Sequence, residues 1–382
     1  MFPKRDHPVR IQHYRICEVH RTLSRTTGNA RRSWSHRSAI LVELVDEQGC
    51  WGQGEAAPLP GYSPDTFDLN RAALDRLKPE GWEFDSLTPT GTVLRTLGKQ
   101  LPSSARAARF ALETAVLDLM GHRLGLPAWY LLTKQRGDRQ PASIPLAALL
   151  DADDPAARLV QADEALSQGF GTLKVKLGSD SRDVDHVQQL RRRLGPLVAL
   201  RLDANRAWTT EQATRSLCRL AEVVPEFVEE PLADFQLNSA TFPGPVLDDA
   251  SVPIALDESL QPFGENETAL MRVPRAIRAL VLKPTVLGGF INCIRLAQSG
   301  QALGLNIIVS HALEGPIAWA AAISLALAVQ SPGMAAGLGP HVGLHARPDF
   351  HLQTVRGSRL VAAQEPGLGL SRFPLFSDAN RG

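Results

Sequence analysis

Between residues 170 and 310 the chain repeats one pattern, a short apolar run that ends on a charged or polar residue. The runs are TLKVKLG, ALRLDANRAW, FVEEP, IALDES, ALVLKPTVLGG and NIIVSHALEG. With Lys176, Asp203, Glu229, Asp257, Lys283 and Ser310 as markers, successive gaps are 27, 26, 28, 26 and 27 residues. Each gap has room for one strand, one helix and their loops, so the period predicts consecutive βα units. Such units close into a parallel barrel whose strands all present their C-terminal ends at one mouth, where active sites of this architecture are built. The marker residues are therefore expected to face one another.

At 382 residues the chain exceeds the size at which one core keeps growing, so a second domain beside the barrel is expected. Residues 39–44 (AILVEL) read as a strand, 46–49 as a turn and 51–55 as an antiparallel partner. Residues 103–124 carry small and apolar side chains at helical spacing, ended by Gly125 and Pro127. The last barrel strand falls near 335–339, and RLVAAQEPGLGL beyond it reads as a strand and turn that fold back on the first domain. The expected fold class is α/β, a (β/α)7β TIM-type barrel over 139–342. An N-terminal α+β capping domain over 1–138 is completed by C-terminal residues 343–382.

Lys and Arg number 41 against 40 Asp and Glu, a net charge of +1. Such a balance supplies no field that would attract nucleic acid or a membrane surface, so neither partner is expected. The start, MFPKRDHPVR, has no apolar core of a secretory signal. The longest apolar stretch, 317–329, is shorter than the roughly 20 residues that span a bilayer. It reads as a buried helix after the sixth marked strand. Cys17, Cys50, Cys218 and Cys293 form no CxxC pair and suit a reducing cytoplasm.

Lys174 and Lys176, two apart on a strand, share a face. Like charges disfavour the charged form, so each lysine is expected to depress the other's pKa and leave one neutral as a base. Asp203 and Asn205 share a face by the same parity, with Arg201 two residues before them. Glu229 and Glu230 point to opposite faces, and spacing leaves open which of them faces the mouth. Asp257 follows one βα step later. Three carboxylates at one mouth repel one another without a cation, and hard oxygen ligands suit Mg2+. Lys283 lies two strands beyond Glu229, across the barrel from Lys176. A lysine on each flank of a metal-bound carboxylate is an arrangement for removing or delivering a proton at carbon. The basic stretch 20–37, with Arg21, Arg25, Arg31, Arg32 and Arg37, reads as a solvated loop, and His311 as a hydrogen-bonded wall residue.

The ordered set KxK, DxN, EEP, DES and KP resembles the enolase superfamily, in its muconate-lactonizing-like subgroup with a lysine on each side of the site. Within it GEAAPLPGYSPDT, LRLDANRAW, EEPL, LDESL and LKPTVLGG look most like the o-succinylbenzoate synthases of menaquinone biosynthesis. The resemblance runs from about residue 39 to 370, and GEAAPLPGYS is the part that favours this activity. It implies that Lys176 takes the proton α to the substrate carboxylate and then protonates the departing hydroxyl on the same face. Lys174 would assist, and Lys283 would stand opposite as a stationary cation. Asp203, Glu229 and Asp257 would hold Mg2+, or Mn2+ in its place. The implied reaction is dehydration of 2-succinyl-6-hydroxy-2,4-cyclohexadiene-1-carboxylate to 2-succinylbenzoate through an enolate. The partner is then a small-molecule carboxylate, with Asn205, Gly288 and Ser310 as expected substrate contacts. In relatives the loop equivalent to 20–37 covers the barrel mouth. The same two lysines would also serve an N-acylamino acid racemase or a dipeptide epimerase.

Overall fold

The computed structural model describes residues 8–28, 32–85, 88–133, 143–152, 154–233, 250–265, 270, 273–342, 344 and 355–376. Its N-terminal part is built on a long hairpin. Strands β1 (Val9–Gly28) and β2 (Ser33–Asp46) pair antiparallel, and β3 (Trp51–Ala56) pairs with the other edge of β2. The short β4 (Glu83–Phe84) pairs with the start of β1. Asp46 makes the turn into β3, its Oδ1 accepting from the backbone N–H groups of Gln48 and Cys50 at 2.9 and 2.8 Å. Residues 20–37, expected as a loop, are largely strand instead: β1 runs on to Gly28 and β2 begins at Ser33. Thr22, Thr26 and Thr27 are β-branched and suit an extended backbone, and pairing with β2 outweighs the local polarity. Arg31 lies outside the described residues.

Helix Arg106–Leu124 lies across β3 and is buried on nearly every side. Gly52 and Gly54 permit that approach, because a Cβ on Gly54 would stand 1.8 Å from the Ala111 carbonyl oxygen. The helix ends at Gly125, whose φ of 67° is the left-handed cap expected there.

After β5 (Ser143–Pro145) come seven parallel strands in chain order. They are β6 (Ala147–Leu150), β7 (Thr172–Lys176), β8 (Ala199–Asp203), β9 (Phe227–Glu229), β10 (Ile254–Leu256), β11 (Ile277–Leu282) and β12 (Asn306–Val309). Six of them, β7 to β12, fall on the sequence runs described above. The ring closes through residues 335–339: the Ala336 N–H donates to Pro145 at 2.8 Å, the Ala147 N–H to Ala336 at 3.0 Å, and the Gly337 N–H to Val309 at 2.9 Å. Helix Pro316–Val329 follows β12 and is buried at every position, which explains its all-round apolarity. No helix among the described residues is long and apolar enough to cross a membrane.

The C-terminal strands β13 (Val355–Arg356) and β14 (Arg359–Val361) pair with each other, and β14 pairs with β5. Beyond them the chain returns to the capping domain. The Leu368 N–H donates to Asp118 Oδ1 at 2.8 Å and Arg372 Nε to Glu43 Oε1 at 2.6 Å. The expected joins, at 138–139 and 342–343, fall on or beside residues outside those described.

The cap docks on the barrel by supplying acceptors to helix N-termini, where backbone N–H groups lack intrahelical partners. Glu113 Oε2 accepts from Phe290 and Ile291 at 2.6 and 3.2 Å, at the start of helix Phe290–Ala302. Glu55 accepts from Gly315 and Ala318 at 2.9 and 3.2 Å, at the start of helix Pro316–Val329. Burial raises the Glu113 carboxyl from 4.5 to about 8, against the lowering by the Ile291 amide, Arg109 and the Phe290 amide. A carboxyl with a raised folded pKa binds its proton more tightly when folded. Its contribution to stability is full below the unfolded value and is lost as pH rises through the folded one. Glu113→Gln, which keeps an acceptor but does not titrate, should therefore show a flatter fall in stability between about pH 5 and pH 8. Urea midpoints at the two pH values measure this. Equal slopes in both proteins would mean that Glu113 is ionised throughout.

Candidate active site

Side chains two apart on a strand face the same way. The barrel interior carries a plug of Phe227, Ala255, Ala279, Val281 and Ile308. Two residues further along their strands, Glu229, Asp257, Lys283 and Ser310 open at the mouth. The register sets Lys176 beside Asp203 and Asp203 beside Glu229. A slip of one residue would turn this set outward.

Two ammonium groups compensate the carboxylates directly. Lys174 Nζ lies 2.7 Å from Asp203 Oδ2 and 3.0 and 2.8 Å from the two oxygens of Glu229. Lys283 Nζ donates to Asp257 Oδ2 and to the Tyr62 hydroxyl, and stands 4.6 Å from the centre of the Tyr62 ring. The Tyr62 hydroxyl in turn donates to Asp257 Oδ2 at 2.9 Å. Lys176 differs from both. Its ammonium donates to the Gly28 carbonyl at the end of β1, and no carboxylate among the described residues accepts from it.

These contacts split the three lysines. Burial lowers the pKa of Lys174, but Asp203, Glu229 and Asp257 outweigh it and the net shift is upward. Lys283 is raised in the same way, burial being overcome by Asp257, Glu229 and Glu258. Of the three, Lys176 alone is lowered: burial is the largest cause, Asp203 and Asp151 oppose it without reversing it, and Lys174 and Lys283 add to it. The expectation that each lysine depresses the other's pKa therefore meets a net rise at Lys174, where the neighbouring carboxylates outweigh burial, while Lys176 is the one of the two whose pKa falls. Glu229 is pushed upward by burial despite Lys174.

The choice between Glu229 and Glu230 is resolved by hydrogen bonding. Glu230, at a left-handed φ of 43°, accepts from the backbone N–H groups of Asp257 and Ser259 at 2.7 and 2.8 Å. It also accepts from the Ser259 hydroxyl at 2.8 Å and Arg206 Nε at 3.0 Å, which ties the end of β9 to the turn after β10. Asn205 lies beside Asp203, to which its backbone N–H donates at 3.1 Å. Ser310 stands at the rim, its hydroxyl donating to the Gly337 carbonyl at 3.0 Å as part of barrel closure. Gly288 has a φ of 84° and lies against Arg106 and Asn292, so its backbone conformation accounts for glycine there.

Two residues at the site carried no assignment from sequence. Tyr62 belongs to GEAAPLPGYS, but no periodicity in that loop announces which side chain enters the mouth. Arg37 belongs to the stretch read as solvated, yet it is buried. Its guanidinium donates to the carbonyls of Ala57, Pro58, Ala312 and Leu313 at 2.6, 2.8, 3.3 and 3.0 Å. Those loop carbonyls have no ladder partners, and the guanidinium fork serves several at once. Arg25, by contrast, pairs with Asp151 near the surface.

The donor set suits a hard divalent cation. Asp203, Glu229 and Asp257 are all buried, and the Asn205 Oδ1 acceptor beside them is buried with no partner among the described residues. Among the described residues no three such groups close into a ready cage; the ammonium groups of Lys174 and Lys283 carry the compensating charge. A cation entering here would replace those contacts with oxygen ligation.

A profile of the family described as "Enolase C-terminal domain-like" matches residues 157–372, more than half of the chain. The chain belongs to the enolase superfamily. It is an enzyme of that superfamily, similar to an o-succinylbenzoate synthase of Desulfotalea psychrophila, with 28% identity over 83% of this chain and 90% of the relative. Protein PHYLLO, chloroplastic, of Arabidopsis thaliana is 28% identical over 76% of this chain, which spans only 18% of that longer protein. Among solved structures, a dipeptide epimerase from Methylococcus capsulatus complexed with Mg and the dipeptide L-Arg-D-Lys aligns with a TM-score of 0.79 and 28% identity. That alignment covers 94% of this chain and 99% of the epimerase.

Removing Lys174 leaves Asp203 and Glu229 buried without their counter-ion. Lys174→Met should lose about 3 kcal/mol of stability in metal-free buffer, the usual cost of breaking a buried ion pair on one side. Millimolar Mg2+ should restore part of it. Denaturant titrations with and without Mg2+ measure both effects, and a variant as stable as the parent would show that the pair is solvated.

Proposed function

We propose that the chain is an o-succinylbenzoate synthase, dehydrating 2-succinyl-6-hydroxy-2,4-cyclohexadiene-1-carboxylate to 2-succinylbenzoate in menaquinone biosynthesis. The observation that carries this reading is the asymmetry of the two opposed lysines. Among the described residues no carboxylate accepts from Lys176, whereas Lys283 is tied to both Asp257 and Tyr62. One amine available as a base and one fixed ammonium suit a reaction that uses a single face. As a neutral amine Lys176 takes the proton α to the ring carboxylate. It then returns that proton to the departing hydroxyl on the same face, which leaves as water while the ring becomes aromatic. Lys283 stays protonated on the other face and offsets the negative charge that develops on the substrate. Asp203, Glu229 and Asp257 would hold Mg2+, which when bound supplies positive charge for the substrate carboxylate.

Epimerisation of a dipeptide or an N-acylamino acid is the second reading, favoured by the likeness to the dipeptide epimerase. It needs Lys283 to give up and recover a proton, against its bonds to Asp257 and Tyr62. A cytoplasmic setting accompanies the proposal, supported by four free thiols at Cys17, Cys50, Cys218 and Cys293.

Ultraviolet absorbance of the purified chain with the cyclohexadiene substrate and Mg2+ should report formation of the aromatic product. EDTA should abolish it and Mg2+ restore it. Lys176→Ala should lose roughly 100-fold or more, the usual worth of a general base, and Lys283→Ala should also be impaired. Rapid racemisation of an N-acylamino acid or dipeptide in deuterated buffer, without dehydration of the cyclohexadiene, would overturn the assignment in favour of the second reading.

A further inference from the structure

An imidazole beside the mouth, within the field of its three lysines, is not used by the proposed chemistry. His311 follows the end of β12 and stacks on His341, with ring centroids 4.0 Å apart and planes 22° from parallel. Its Nδ1 accepts the backbone N–H of Leu313 at 3.1 Å. An accepting ring nitrogen carries no proton, so that bond assigns the neutral ring's hydrogen to Nε2. The turn that makes the bond is held from both sides. Glu314 Oε2 accepts the Ala312 N–H at 2.6 Å, Arg37 binds the Ala312 and Leu313 carbonyls, and Leu313 itself sits at a φ of 59°. Burial, His341 and the ammonium groups of Lys283, Lys174 and Lys176 all oppose protonation of this ring. Among the described residues Nε2 has no hydrogen-bond partner.

We propose that His311 is a specificity-determining residue whose Nε2–H donates to an oxygen at the far end of the substrate, remote from the carbon that loses its proton, and selects a carboxylate or carbonyl there over an ammonium. A neutral imidazole in this tautomer presents only a donor on that side. A carboxylate meeting it gains a charge-assisted hydrogen bond in the field of three lysines. An ammonium at the same place meets an N–H donor and like charge. The inference names the substrate's far end for the site read above as a synthase, and it distinguishes that substrate from a dipeptide with a free amino end.

The test compares binding of two stable ligands to the Mg2+-loaded protein by calorimetry. They are 2-succinylbenzoate and 2-butanoylbenzoate, in which a methyl group replaces the far carboxylate. The parent should prefer 2-succinylbenzoate by roughly 10- to 100-fold, the worth of a hydrogen bond to a charged group. His311→Gln, which retains an N–H donor, should keep most of that preference. His311→Leu and His311→Ser should lose most of it, and having both guards against one failing to fold. An unchanged preference in either folded variant overturns the proposal, as does a parent that binds L-Ala-L-Ala more tightly than 2-succinylbenzoate. Because the readout is binding, a preference that depends on His311 in a protein unable to dehydrate the cyclohexadiene supports this role while removing the synthase assignment.

Discussion

Charge taken out of water has to be matched where it lies, because an uncompensated buried ion costs several kcal/mol. At the mouth of this barrel that requirement binds the ends of neighbouring strands together. Lys174, on β7, reaches Asp203 at the end of β8 and Glu229 at the end of β9. Lys283, after β11, reaches Asp257 after β10. Among the described residues Lys176 is left outside these pairs, and in the proposed reaction that exclusion suits it to exchange a proton. The proposed chemistry rests on which lysine the carboxylates hold, more than on the presence of lysine as such.

The second constraint is backbone hydrogen bonding between the two parts of the molecule. Helices Phe290–Ala302 and Pro316–Val329 begin with N–H groups that need acceptors, and the cap supplies Glu113 and Glu55. Loops 57–58 and 312–313 carry carbonyls that need donors, and Arg37 supplies four. The cap is thereby fixed to the barrel segments that follow Lys283 and Ser310. Tyr62 and the Gly28 carbonyl are carried to two opposed lysines by the same docking. The wall of the site is thus built from cap and barrel together, with His311 at their seam.

The barrel strands were legible because each is short, apolar and ended by a charged residue at a constant spacing, which no tertiary contact needs to create. The helix at 106–124 was legible for a similar reason, small residues at helical period closed by Gly125. The stretch 20–37 reads as a loop because its arginines mask a β-branched pattern, and its strands are recognised only by their pairing with each other. Arg37 could not be recognised as buried, since the carbonyls it binds come from residues about 20 and 276 positions away. Tyr62 lay inside a quoted motif, yet nothing local marks it as the residue that meets Lys283.

Periodicity and parity are properties of a chain read in one dimension, and they were enough for the barrel and the order of its charged strand ends, while the family was legible as a resemblance of motifs. Pairing is a property of distance. Whether Glu229 or Glu230 meets Lys174, which lysine is left without a carboxylate and which ring nitrogen of His311 keeps its proton depend on contacts between segments far apart in sequence. Burial then amplifies each of those contacts, because a charge or a donor removed from water takes its character from the one or two groups placed against it.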